Sequence, residues 1–372
     1  MKTKQLSQGW QEVELGDICD VKKGSSITKD KVTSGNVPVI AGGQQPAYYH
    51  NISNRTGETL TVSGSGAYAG FVAYFDIPIF ASDCSTIQAK SKEVLMKYIY
   101  YFLKGNQNKI YKLQKGIAQP HVYPKDLMIL KIPLPPLQIQ KAIVSILEKA
   151  EALKEKRKEA DRLTKEYLQS VFFEMFTNNV FSMVKLTNLI IKTENKNPPK
   201  EFPEDYFDYI DISSVDNISK RIVSTNKILG KDAPSRAKQQ VKAKDILIST
   251  VRPNLNAVAL IPLELDNQIC STGFCVLRLD NNKANSEYIF MNLTNKKFIE
   301  SMTNIAKGAS YPAVSDKDIL EFEVPLPPIE LQQKFASIVE QVEKLKEKQK
   351  ESKDKINEMF ESLMQKAFNG EL

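Results

Sequence analysis

The chain has 372 residues, 42% hydrophobic and 26% charged, with a formal net charge of +7. That is apolar surface enough for two or three packed domains, it excludes a disordered chain, and the positive excess fits a polyanionic partner as readily as plain solubility. No apolar run approaches the ~18 residues of a membrane span and Met1-Lys2-Thr3-Lys4-Gln5 lacks a signal-peptide core, so a cytoplasmic protein without a membrane partner is expected.

In chain order, residues 1–136 are rich in short β-type runs and turn residues. Val37-Pro38-Val39-Ile40, Thr59-Leu60-Thr61-Val62 and Phe71-Val72-Ala73-Tyr74-Phe75 predict strands, and residues 92–103 a helix. Residues 137–177 predict one long helix. The mixture returns over 178–328, with strands at Asp245-Ile246-Leu247-Ile248-Ser249, Ala257-Val258-Ala259-Leu260-Ile261 and Phe274-Cys275-Val276-Leu277-Arg278-Leu279 and a helix over 286–294. Residues 329–372 form a second long helix. The predicted class is α+β, two globular domains each followed by a long helix.

The two helices are copies of one element. Pro133-Leu134-Pro135-Pro136 recurs as Pro325-Leu326-Pro327-Pro328 at an offset of 192 residues, and from that first Pro to Glu159 roughly 15 of about 27 positions are identical. Apolar residues advance by alternating threes and fours along Ile139, Ile143, Ile146, Ala150 and Leu153, and again along Leu331, Phe335, Ile338, Val342 and Leu345, which predicts a coiled-coil seam. It turns polar at Arg157 and Gln349, where a side chain either sets register or snorkels. At about 1.5 Å per residue each helix is on the order of 60 Å long, a spacer. The globular segments match more weakly: Val13, Leu15 and Ile18 against Val184, Leu186 and Leu189, and Gly116, Pro120, Val122, Lys125 and Asp126 against Gly308, Pro312, Val314, Lys317 and Asp318. A duplicated frame with drifted interiors predicts two related but non-identical targets.

Several loops suit nucleic acid. Lys22, Lys23, Ser25, Ser26 and Lys29 put cations and hydroxyls on one loop, the chemistry of phosphate contacts, or else an ordinary basic surface. Ser63, Ser65 and Tyr68 sit in a glycine-rich stretch that lets the backbone approach a ligand or makes a tight turn. In the second domain Ser249, Arg252, Asn254 and Asn256 follow a strand in the corresponding place, and Arg and Asn suit guanine and adenine edges. Lys115, Gln119, His121 and Tyr123, and Lys307, Ser310 and Tyr311, flank the shared Gly and Pro positions just before the helices. Arg221, Arg236, Lys238 and Lys242 add a basic run.

Catalytic signals are weak. Gly64-Ser65-Gly66-Ala67-Tyr68-Ala69 fits a dinucleotide fingerprint only if a helix follows, and a strand is predicted there. Asn197-Pro198-Pro199-Lys200 has Lys where an amino-methyltransferase motif carries an aromatic, and is read as a loop. There is no phosphate loop of the G-x-x-x-x-G-K-[ST] kind. Cys19, Cys84, Cys270 and Cys275 make no CxxC pair and only His50 and His121 are present, so no metal is expected and the thiols should be free.

The whole chain resembles the specificity subunits of type I restriction-modification systems. The resemblance is carried by Trp10 to Ile18 with Lys23-Gly24, the approach from Gly116 to Pro136, the paired Pro-Leu-Pro-Pro elements with their heptad helices, and Ala367-Phe368-Asn369-Gly370-Glu371-Leu372. It implies a non-catalytic subunit with two target recognition domains, one per half of a bipartite, asymmetric double-stranded DNA site. It also implies that the helices pack antiparallel with pseudo-two-fold symmetry and set the gap. The implied partners are two adenine methyltransferase subunits and restriction subunits, which would use S-adenosylmethionine, ATP and Mg; no cofactor is expected on this chain. A partner of a fused methyltransferase-nuclease, a cryptic methyltransferase or nuclease, and a coiled-coil module without a DNA role are the other readings.

Overall fold

The computed structural model describes residues 9–116, 118–177, 180–308 and 310–372. It divides into two compact units, Met1–Ala160 with Gln349–Leu372, and Asp161–Lys348. The long helices, Leu137–Phe176 and Ile329–Asn369, are unbroken, and each contributes one stretch to either unit. Among the described residues no helix is long and apolar enough to cross a membrane.

In the first unit a four-stranded antiparallel sheet runs in the order Cys19–Lys23, Cys84–Ala89, Thr59–Ser63, Val72–Phe75. Thr59–Ser63 is central and wholly buried. Its β-branched, alternating sequence sends Leu60 and Val62 into the main core, which also takes Ile87, Tyr98, Leu103 and Ile143. A smaller sheet orders Tyr48–His50, Val37–Ile40 and Phe80–Ala81. Gln11–Glu14 pairs with Lys131–Leu134, and the helix Met96–Gly105 lies along the long helices.

That helix is fastened by Lys97 to Glu148 and, farther along, by Lys104 to Glu151 at 2.7 Å. Phe368 packs on Tyr98, whereas Lys154 covers Phe360 at 4.7 Å. Within this unit, then, the end of the second long helix runs opposite to the first.

The second unit repeats the plan. Ile246–Ser249 is the buried centre of a three-stranded sheet between Val258–Leu260 and Phe274–Leu277. A five-stranded sheet contains Tyr206–Ile210 paired in parallel with Ile269–Ser271, as Val37–Ile40 pairs with Phe80–Ala81. Met183–Lys185 pairs with Glu323–Pro325. Tyr288 donates its hydroxyl to the Pro325 carbonyl and packs 4.7 Å from Phe176, the counterparts of Tyr98 on Pro133 and Phe368. Phe172 and Phe176 meet the fully buried Phe335 edge-on.

The buried stripe of the long helices corrects the heptad reading. Ile143, Ala150, Phe335 and Val342 are buried and Ile139, Leu331 and Ile338 partly so, but Ile146, Leu153 and Leu345 are 36%, 46% and 46% exposed. At every other seam position the inward residue lies one later: Gln140, Leu147 and Leu168 are buried in the first helix, Gln332 in the second. Two phases carry apolar residues, and the polar Gln140 and Gln332 disguise the right one because their amides are used inside the protein. Asn197-Pro198-Pro199-Lys200 is corrected as well: Pro198–Glu201 is a single helical turn, Pro198 standing at its start.

Candidate nucleic-acid interface

In the first unit the loop after Thr59–Ser63 is tied to the segment before the first long helix. Gly66 donates its N–H to the Pro120 carbonyl at 3.1 Å, and Val122 donates to Gly64 at 3.1 Å. A bridge joins Ser65 to His121 and another joins Lys115 to His121. Gly64 also donates to the Asp83 carbonyl at 3.0 Å, while the Ser65 hydroxyl donates to the Asp83 carboxylate. The loop after Val37–Ile40 closes on the same point, since a Cβ on Gly42 would lie 2.6 Å from the Ser65 carbonyl. Ser25 donates to Ala81 at 2.9 Å, so the Lys22 to Lys29 segment borders the cluster.

The second unit builds the same junction from different side chains. Arg252 donates its N–H to the Pro312 carbonyl at 2.7 Å, Val314 donates to Thr250 at 2.9 Å, and Thr250 donates to Gly273 at 3.0 Å. Bridges join Val251 and Lys307 to Ala313. Gly116 and Gly308 sit at φ of 100° and 101°, and a Cβ would strike the carbonyls of Gln119 and Tyr311, so both loops turn where only glycine fits. Ser213, Asn217, Arg236, Val251, Arg252 and Tyr311 line a groove of about 600 Å³. No carboxylate lines it among the described residues.

The expected contact residues fall into three groups. Lys23, Ser25, Ser26, Lys29, Tyr68, Gln119 and Tyr123 are exposed around the first junction, with His121 stacked on Tyr123 at 5.9 Å; Arg236, Lys238, Lys242, Arg252, Asn254, Lys307, Ser310 and Tyr311 are exposed in the second unit. A second group is engaged. Lys22 reaches Asp20 at 3.4 Å, Lys115 reaches Asp126 at 2.6 Å, Ser65 holds Asp83, and Arg221 pairs with Glu343 of the second long helix.

The third group is turned inward: Ser63 and Ser249 are 3% and 4% exposed, and Asn256, at 5%, gives its amide to the Thr294 carbonyl at 3.4 Å. These three hold the loops and do not present polar atoms to a ligand. Asp318 beside Lys307 is kept ionised: its hydrogen bonds from Ser315, with Lys307 nearby, hold its carboxyl below the usual range.

The sequence reading missed Gln44 and Gln45, exposed on the Gly42 loop, and Ser213 and Asn217, which occupy the equivalent loop of the second unit. The signal was present in Ala41-Gly42-Gly43-Gln44-Gln45-Pro46, a glycine and amide run directly after a buried strand.

A family model for the type I restriction modification DNA specificity domain matches residues 7–161 and 179–358. The type I restriction enzyme MjaVIII specificity subunit of Methanocaldococcus jannaschii is 22% identical, over 99% of this chain and 94% of its own length. The EcoDI specificity subunit of Escherichia coli is 21% identical, over 100% and 90%. Among solved structures, a type I restriction-modification system S subunit from M. genitalium matches 99% of this chain and 98% of its own with a TM-score of 0.63 at 19% identity, a likeness of fold.

Proposed function

Because this chain belongs to the family of type I restriction modification DNA specificity domains, we propose that each of its units reads one half of a bipartite, asymmetric site in double-stranded DNA. The long helices, packed antiparallel about a pseudo-two-fold axis, set the unread gap. The chain catalyses nothing itself: two adenine methyltransferase subunits supply methylation from S-adenosylmethionine, and restriction subunits supply ATP- and Mg-dependent cleavage.

One observation carries this reading. The two loop junctions share their backbone hydrogen bonds, Gly66 to Pro120 and Arg252 to Pro312 among them, yet offer different side chains. One frame with two linings is what a reader of two unlike half-sites requires, since phosphate contacts position a protein and base-edge contacts specify. Gln44, Gln45 and Gln119 offer amides in the first unit, Arg236 and Arg252 guanidinium groups in the second. Such side chains pair with adenine and guanine respectively in the major groove.

The test is genome-wide mapping of adenine methylation in a strain expressing this chain with methyltransferase subunits, against the same strain without it. One new two-part motif that depends on this chain is expected. An unchanged methylome, with the complex intact by co-purification, overturns the proposal.

A further inference from the structure

We propose that Arg252 reads a guanine in the half-site taken by the second unit, held for the purpose by Tyr311, and that the equivalent place in the first unit, Gly66, reads no base. This rests on the DNA-reading function proposed above and names a specificity-determining residue within it.

The equivalence is geometric. Gly66 and Arg252 each donate a backbone N–H to the proline two residues before the matched Val122 and Val314, and each lies at positive φ, 81° and 49°. Glycine takes that conformation freely, whereas an arginine takes it against its own Cβ and is kept there only by its surroundings. Asn256, closing the same turn, is also left-handed at φ 48°. A demanding backbone on both sides of a short turn aims one side chain, and that side chain is Arg252.

The guanidinium lies 5.1 Å from the centre of the Tyr311 ring. Among the described residues nothing else accepts from it, and no carboxylate lines the groove. Its place over the ring holds the guanidinium by cation–π attraction and leaves its donors free. A phosphate contact needs charge but no fixed plane, and Arg236 and Lys238 stand exposed to supply charge. A planar, pre-aimed fork matches the N7 and O6 acceptors of guanine, and the apolar walls at Val251 and Leu255 suit a neighbouring thymine methyl.

Wild type, Arg252→Gly and Arg252→Lys are compared by adenine methylation mapping, each expressed with the methyltransferase subunits in a strain without other adenine methylation. Arg252→Gly reproduces the residue of the first unit, so the turn itself is respected. It should open one guanine position of one half-site to other bases, preference there falling roughly 5- to 150-fold, and leave the other half-site and the gap unchanged.

Arg252→Lys keeps the charge but loses the fork, and should relax the same position. Should Arg252→Gly give no methylation at all, relaxation by Arg252→Lys alone still supports the inference. An even loss of methylation with every base preference intact would show a phosphate contact and overturn it. An unchanged motif in either variant, or loss of all methylation in both, overturns it too. A wild type that yields no motif overturns the proposed function, and this inference with it.

Discussion

Gln332 repeats two hydrogen bonds of Gln140, which also donates to the Glu93 carbonyl at 3.0 Å. Gln140, 1% exposed, donates its amide to the Pro135 carbonyl at 2.9 Å and accepts the N–H of Leu95, the residue capping Met96–Gly105, at 2.9 Å. Gln332, fully buried, donates to Pro327 at 2.8 Å and accepts from Asn285, which caps Ser286–Leu293, at 2.9 Å. Each glutamine joins a proline turn, a long helix and a short helix. Replacing either by Leu strands a buried carbonyl and a buried N–H and should cost about 1–3 kcal/mol. Denaturant melts, with hydrogen exchange at Leu95 or Asn285, check this; unchanged protection at Leu95 in Gln140→Leu would refute it.

Arg278 and Asp245 form a buried pair in the second unit, at 2.8 Å between Nη2 and Oδ2 and 3.1 Å between Nε and Oδ1, with Nη2 also donating to the Gln240 carbonyl. Arg278→Met leaves the Asp245 carboxylate buried and unpaired and should destabilise the unit by about 3–5 kcal/mol. Adding Asp245→Leu should recover much of the loss, because the desolvation cost disappears with both charges. A double-mutant cycle by urea denaturation measures it.

Glu151 makes the first unit sensitive to acid. Burial pushes its carboxyl up, but Lys104 and the Tyr101 hydroxyl, at 2.7 and 2.8 Å, outweigh burial and hold it below its usual value of 4.5. A depressed carboxyl contributes stability above its unfolded value and loses it as pH falls through the folded one, so the contribution fades below pH 4.5. Glu151→Gln should lower the melting temperature at pH 7 and flatten the acid limb of its pH profile. An identical profile in the two proteins would count against this.

The thiols should be inert while the protein is folded. Burial pushes Cys19 and Cys84 up to about 12 and raises Cys270 and Cys275 further, and all four are free and buried. With the thiolate as the reactive species, a disulfide reagent at pH 8 should label the native chain slowly and all four sites promptly after denaturation. Fast labelling of one site in the native state would disagree.

If the helices set the gap between half-sites, shortening both by residues 155–158 and 347–350 removes about 6 Å of rise from each. The methylated motif should keep both half-sites and lose roughly two base pairs of gap, at ~3.4 Å per base pair. Methylation mapping reads this directly, and a change in the bases themselves would contradict it.

Which loops meet was only half visible beforehand. Ser63 to Tyr68 and Gln119 to Tyr123 each read as a loop with useful side chains, but nothing local told that Gly66 bonds to Pro120 or that Gly42 sits against Ser65. Those contacts span tens of residues and depend on which strands become neighbours. The same holds for Asn256 and Ser249, chosen as polar and loop-borne, then found turned inward.

The duplication, the two long helices and the strands Val37–Ile40 and Ile246–Ser249 were decided by the sequence alone, because repeats, heptads and short buried runs are properties of nearby residues. The phase of the helix stripe was decided by tertiary packing: Gln140 points inward although polar because Leu95 and Pro135 await its amide, and Leu153 is left exposed although apolar. The pairing of Arg252 with Tyr311 was likewise a matter of the fold, since three strands and two α-helices between them must find their places before a guanidinium meets that ring.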